Sequence, residues 1–240
     1  QWKALFNGWN PSQWVSCGDN CPVERLSWYD AIAAANALAA RAGFSPCYLI
    51  SGVTCKNGGS VGSDVCMNNV QGGISSASVS LNGVASPYLC GGYRLPTEAE
   101  WEMAYRAGSN TALYPSDGND GTLTNPLTPP ADPSLDQIGW YAGNAGGTTH
   151  PRGQLEANAW GLYDMPGNVL EWCWDGYATY AAGTIAAPVV DPFKNTSTDG
   201  KRIMRGNGYA FHARGCRAAA RDAHYTWQDH SYGLRVVRTL

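Results

Sequence analysis

Hydrophobic residues recur at helical spacing in two stretches, and both open with the same device. In the first, Trp28, Ile32, Ala35 and Ala39 fall on one face of an alanine-rich run. Ser27 stands before that run with Asp30 three residues on, a capping-box arrangement, and Gly43 supplies a left-handed stop. In the second, Thr97 and Glu100 make the box, Trp101, Ala104 and Tyr105 form the apolar face, and Gly108 closes it. Towards the C-terminus the period changes to two. Arg202–Arg205 and Leu234–Arg238 predict strands, the second with Leu234 and Val236 turned inward and Arg235 and Val237 outward.

Two segments break this pattern. Residues 44–92 are rich in Ser, Gly, Val and Asn and carry Cys47, Cys55, Cys66 and Cys90. They are too long for a structureless loop, which predicts an insertion held by disulfides or by short strands such as Ala77–Leu81. Residues 109–137, with Asn125-Pro126 and Pro129-Pro130, read as irregular surface wrap. The whole chain is expected to form one domain over 1–240.

Composition narrows the function classes. The 240 residues carry a formal net charge of -3, so the basic footprint of a nucleic-acid binder is absent. No run approaches the roughly 18 apolar residues of a membrane span, and Gln-Trp-Lys-Ala-Leu5 is no signal-peptide core. The 29 Gly, 10 Trp and 13 Tyr beside 15% charged residues suit a loop-rich fold pinned by aromatics. The eight cysteines lack paired C-x-x-C spacing, so disulfides in an oxidising compartment are expected over metal binding or free thiols. Secreted, periplasmic or surface-attached residence follows from that expectation.

Three blocks occur in one order: Pro22-Val-Glu-Arg-Leu-Ser-Trp-Tyr-Asp-Ala31, Tyr93-Arg-Leu-Pro-Thr-Glu-Ala-Glu-Trp-Glu102 and Gly161-Leu-Tyr-Asp-Met-Pro-Gly-Asn-Val-Leu-Glu-Trp172. They resemble the formylglycine-generating enzyme family, or sulfatase-modifying-factor domain. Arg205-Gly-Asn-Gly-Tyr209, Cys216-Arg-Ala-Ala-Ala-Arg221 and Gly233-Leu-Arg-Val-Val-Arg238 continue the resemblance. It implies an α+β fold, similar to a C-type lectin, with two main helices, small twisted antiparallel sheets and much irregular structure. Family domains usually have a strand before the Gln-Trp position, so an N-terminal segment is expected to be missing, processed or held separately.

Around the turn of the third block, Asp164, Asn168 and Glu171 bring side-chain oxygens, and the Gly167 and Val169 carbonyls can point inward. Calcium takes roughly six to eight such oxygens. The resemblance implies structural calcium at Asp164, Gly167, Val169 and Glu171; the alternative is that these groups only cap a turn.

The family's chemistry is a copper-dependent oxidation of a substrate cysteine, and it uses two cysteines with four residues between them. Soft thiolates suit Cu(I). The matching stretch here, Tyr209-Ala-Phe-His-Ala-Arg-Gly-Cys216, puts Phe211 at the first position and Cys216 at the second. Phenylalanine has no lone pair, so no copper and no formylglycine-generating activity are expected. Cys216 is then open to a disulfide, with Cys173 as a candidate partner. The three histidines His212, His224 and His230, with Asp222 and Asp229, raise a transition-metal reading, against which stand ordinary surface histidines.

From Tyr209 to Tyr232 the chain mixes aromatics with short polar groups, the composition of adaptable binding surfaces. It also resembles the C-terminal variable region of diversity-generating-retroelement proteins. Tyr209, Phe211, His212, Arg214, His224, Tyr225, Trp227, Asp229, His230 and Tyr232 are the candidate contacts for a protein or glycan ligand; Tyr209, Phe211, Tyr225 and Trp227 could equally be core aromatics. Arg217 and Arg221 are expected to pair with Glu98, Glu100 or Glu102. The resulting expectation is a catalytically silent extracytoplasmic binding or scaffold module. Its rival is a copper- or iron-dependent oxidoreductase that uses Cys216 on a cysteine of a protein substrate.

Overall fold

A computed structural model of the chain describes residues 1–59, 62–116, 118–127, 131–180, 183–184, 186–227 and 231–240. Its α-helical segments among these residues are α1 Trp2–Leu5, α2 Trp28–Arg41, α3 Ser63–Cys66, α4 Glu98–Arg106 and α5 Pro133–Asp136. Only α2 and α4 exceed one turn and a half, as the periodicity predicted. Both capping boxes close. Ser27 Oγ accepts from Asp30 N at 3.1 Å while Ser27 N donates to Asp30 Oδ2 at 2.9 Å. Thr97 Oγ1 accepts from Glu100 N at 3.2 Å while Thr97 N donates to Glu100 Oε2 at 2.8 Å. The left-handed turn that ends α4 already begins at Ala107, one residue before the predicted Gly108.

The strands are β1 Tyr48–Cys55, β2 Ile74–Leu81, β3 Tyr93–Arg94, β4 Leu170–Gly176, β5 Arg202–Arg205, β6 Asp222–His224, β7 Tyr232–Leu234 and β8 Val237–Arg238. The main sheet has the order β6-β5-β4-β7, with β4 antiparallel to β5 and parallel to β7. The predicted strand Leu234–Arg238 is therefore two strands in different sheets: β7 beside β4, and β8 antiparallel to β3. The break falls at Arg235, whose guanidinium is drawn to the buried carboxylate of Glu171. Leu234 and Val236 pack against the first core cluster, the inward side expected of them.

Residues 44–92 contain the antiparallel pair β1-β2, and Ala77–Leu81 lies within β2. The disulfides Cys47–Cys90 and Cys55–Cys66 staple this segment, and Cys17–Cys21 closes a third loop. The α2 cap docks it to the body: Asp30 accepts from Ile74 N at 2.7 Å and from Lys56 Nζ at 2.6 Å, and Ser27 Oγ donates to the Ile74 carbonyl at 2.9 Å. A Cβ on Gly73 (φ +104°) would come within 2.7 Å of Asp30 Oδ1, so this approach requires glycine.

Tryptophans join the layers by burying their rings and satisfying their N–H groups. Trp28 Nε1 donates to the Cys173 carbonyl and Trp172 Nε1 to the Leu26 carbonyl, each at 3.0 Å. Residues 109–137 differ from a pure surface wrap. They send Leu113, Tyr114 and Leu135 into the second core cluster, against Trp101 and Tyr105.

Glu24 is an internal strain on this frame. It is fully buried, Oε1 accepts from Trp14 N at 2.9 Å, and Oε2 has no partner among the described residues. Burial pushes its carboxyl up to about 7. An acid raised on folding binds its proton more tightly in the native state, so it costs stability as pH rises from the ordinary carboxylate range through about 7. Glu24→Gln is expected to remove on the order of 3 kcal/mol of that decline. Denaturation midpoints measured across this pH window check it, and parallel curves for the two proteins would contradict it.

Candidate functional site

Phe211 and Cys216, the two positions expected to match the family's cysteines, lie just before and at the end of one 3-10 turn, Ala213–Cys216, capped by His212. Phe211 puts a partly exposed ring at the surface, and its main chain is tied down by Ala142 N, which donates to its carbonyl at 3.1 Å. Cys216 points the other way and is fully buried, with Asn207 Nδ2 donating to its Sγ at 3.1 Å. Burial pushes this thiol up to about 12, against a smaller opposing effect of Asn207. A phenyl ring and a buried, protonated thiol do not make the two-thiolate donor set that Cu(I) needs. Copper does not fit this turn.

The candidate Cys173–Cys216 disulfide does not form: both cysteines are free and buried in the second core cluster. Burial holds the Cys173 thiol well above its ordinary range, and the nearby Asp175 carboxylate adds to that. Each sulfur thus behaves as a core group, so six of the eight cysteines pair and these two do not.

The Asp164–Glu171 turn is shaped by left-handed residues at Asp164, Gly167 and Asn168. Asn168 uses its whole amide on the His150 backbone, accepting from N at 3.1 Å and donating to O at 3.0 Å. Glu171 Oε2 accepts from Trp101 Nε1 at 2.7 Å, and both its oxygens accept from Arg235. Asp164 Oδ2 accepts from Gly153 N at 2.8 Å, while Oδ1 is buried with no partner among the described residues. Of the side-chain oxygens expected to surround calcium, Asp164 Oδ1 is therefore the buried one with no partner among the described residues, and Glu171 would have to serve an ion and Arg235 together.

The C-terminal patch separates into an exposed and an interior set. Tyr209 and Tyr232 are buried: Tyr209 Oη accepts from Trp14 Nε1 at 2.9 Å, and Tyr232 packs edge-on against Trp172. His224 is half-buried between Tyr232 Oη, 2.5 Å from its Nδ1, and Asp222. These three belong to the interior and not to the exposed surface. Phe211, His212, Arg214, Tyr225 and Trp227 are exposed. The Tyr225 and Trp227 rings lie 5.0 Å apart, with Lys201 Nζ 5.3 Å from the Tyr225 ring. Asp229 and His230 lie outside the described residues. Sequence reading missed the exposed Tyr177 and Tyr180, which flank Arg221 at 5.4 and 4.0 Å; no periodicity marks them.

Arg221 binds Glu98 through Nε (2.6 Å) and Nη2 (2.7 Å), as expected. Arg217 pairs with none of the three glutamates. Glu100 takes Arg94, and Glu102 takes Arg106 and Arg205.

A sequence model of the sulfatase-modifying factor enzyme 1-like domain matches residues 7–240. The chain belongs to that family. The chaperone protein LppX of Paenibacillus barcinonensis is 34% identical over 195 residues, which are 74% of this chain and 59% of that protein. The formylglycine-generating enzyme of Thermomonospora curvata is 36% identical over 155 residues, 60% of this chain and 48% of the enzyme. The chain thus spans less than two thirds of either relative. Among solved structures, Treponema denticola variable protein 1 superposes with a TM-score of 0.69 at 27% identity, covering 98% of this chain and 79% of that one. CarF, at 23% identity and a TM-score of 0.58 over 94% of this chain and 71% of its own, shares the fold. The fold is the α+β, C-type-lectin-like fold of the formylglycine-generating enzymes. The three disulfides are those of a family member folded in an oxidising, extracytoplasmic compartment.

Two thiols define a direct check. The native protein is expected to leave Cys173 and Cys216 unmodified by an aqueous thiol reagent, and the denatured, unreduced protein to titrate two thiols. Rapid native labelling, or no thiol after denaturation, would contradict the burial and pairing described here.

Proposed function

We propose that this protein is a catalytically silent, extracytoplasmic binding or scaffold module of the formylglycine-generating enzyme family. The observation that carries the reading is the turn at 211–216: a phenyl ring stands at one copper position and a buried, protonated thiol at the other. The proposed contact surface is the exposed set Phe211, His212, Arg214, Tyr225 and Trp227, directed at a protein or glycan ligand. Exposed aromatics with few rotatable bonds supply area at low entropic cost, and the neighbouring polar groups supply hydrogen bonds. Likeness to a variable protein at 27% identity supports the same reading. Secretion, a periplasmic location and surface attachment are all compatible with the three disulfides.

Structural calcium is proposed at Asp164, Glu171 and the carbonyls of Gly167 and Val169. Its support is the buried Asp164 Oδ1, which has no partner among the described residues. Such an ion would brace the turn and take no part in chemistry.

Protein purified without chelator is expected to carry calcium near one equivalent and to leave a cysteine-containing peptide unoxidised when copper and oxygen are supplied. Peptide turnover that Cys216→Ser abolishes would overturn the silent reading, and metal analysis without calcium would overturn the brace. For the contact surface, ligands found on a glycan array or in a surface-display screen should bind Phe211→Ala and Tyr225→Ala/Trp227→Ala proteins roughly ten-fold more weakly or worse. Affinities unchanged in all these variants would reject it.

A further inference from the structure

A pocket of about 570 Å³ opens between the 3-10 turn Ala213–Cys216 and the irregular segment 111–126. Its walls are tied together by the main chain. Ala218 N donates to the Ala112 carbonyl at 2.7 Å, and Arg214 N donates to the Pro126 carbonyl at 3.0 Å. Within the segment, Leu113 N donates to the Gly121 carbonyl at 2.9 Å. A Cβ on Gly121 (φ +75°) would lie 2.5 Å from Thr111 Oγ1 and 2.6 Å from the Leu113 carbonyl, so the wall closes this tightly only with glycine there. Further along, the buried carboxylate of Asp132 accepts from Thr124 N and Asn125 N, both at 2.7 Å. These bonds make the pocket a constructed feature of the fold.

Among the described residues its lining charge is one-sided. Arg94, Arg106, Arg205, Arg221 and Arg235 each hold a carboxylate. Arg214 and Arg217, both exposed and both lining the pocket, hold none among the described residues. Arg217 Nε donates to the Arg214 carbonyl at 2.8 Å, which orients that guanidinium and leaves its terminal nitrogens for another acceptor. Asp120, next to the lining, turns its carboxylate onto Thr122 N at 2.8 Å. The remaining wall mixes Thr111 and Thr122 with the apolar Ala112, Leu123 and Pro126.

We propose that this pocket binds the carboxylate or sulfate of an acidic saccharide, with Arg214 and Arg217 as the oxyanion receptors. A guanidinium presents a planar fork that matches such groups with two parallel hydrogen bonds. The volume lies within the roughly 300–1,000 Å³ of small-ligand sites and exceeds what one Asp or Glu side chain fills. Hydroxyls beside apolar patches suit a sugar ring, which has both kinds of face. The proposal rests partly on the ligand-binding reading, since Arg214 belongs to both surfaces, but it does not need Tyr225 or Trp227.

Calorimetric titration of the whole chain with glucuronate and with a sulfated disaccharide tests it. Both probes are expected to bind, more weakly as salt is raised, with affinity at least roughly ten-fold lower in Arg214→Gln/Arg217→Gln. Arg214→Lys/Arg217→Lys keeps the charge without the fork and should fall between, a readout that survives if the glutamine pair folds poorly. Arg41→Gln, an exposed arginine at the end of α2, should bind the probes as the parent does, and a ligand of the aromatic surface that still binds when the saccharides do not tells failure of the pocket from failure of the ligand-binding reading. Absence of binding by both saccharides, affinities indifferent to the arginines, or tighter binding of a glutamate-rich peptide would overturn the proposal.

Discussion

Arg205 is the charge around which the molecule is arranged. It lies on β5, is 1% exposed, and a guanidinium so placed costs several kcal/mol unless its hydrogens are met. Glu98 and Glu102, one turn apart on α4, accept from its two terminal nitrogens at 3.2 and 2.6 Å, and the Ala218 carbonyl takes a further bond at 2.6 Å. Those bonds can form together only if α4 lies across β5 with the 218–221 stretch beside it. Arg221 then completes Glu98, and Trp101, from the same helix, reaches Glu171 on β4. The 3-10 turn at 213–216 is carried into place by this clamp and by Tyr105 Oη, which donates to the Cys216 carbonyl at 2.7 Å.

A scaffold organised by buried charge is separable from the chemistry it displays. Phe211 projects at the surface, where the side chain can change with little consequence for packing. Cys216 is different, because its sulfur fills part of the core beside Asn207 whether or not it ever meets a metal. The family frame therefore persists around a turn that presents Phe211 outside and buries Cys216. The same frame buries Tyr209 and Tyr232 while leaving Phe211, Tyr225 and Trp227 exposed.

Other polar contacts in the turn 164–171 follow from burial in the same way. Glu171 could not be left inside without the Arg235 guanidinium, and drawing Arg235 inward is what splits the terminal strand between two sheets. A local rule of alternation treats Arg235 as outward because it sees only the side of one strand. The deciding partner is 64 residues away.

Local interactions were legible in the chain. Ser27 with Asp30 and Thr97 with Glu100 encode both long helices, since a capping box joins groups three residues apart, and the apolar spacing names the buried face of each. Family motifs spread along the chain carried the fold, and Phe211 carried the expectation that copper is not bound. Tertiary structure decided whatever depends on long-range pairing or enclosure. It left Cys173 and Cys216 as separate buried thiols, sank Tyr209 and Tyr232, and gave Glu98 to Arg221 while leaving Arg217 at the rim of a pocket. Residue type states what a side chain is able to do; which neighbours and how much water it meets are set only when distant segments come together.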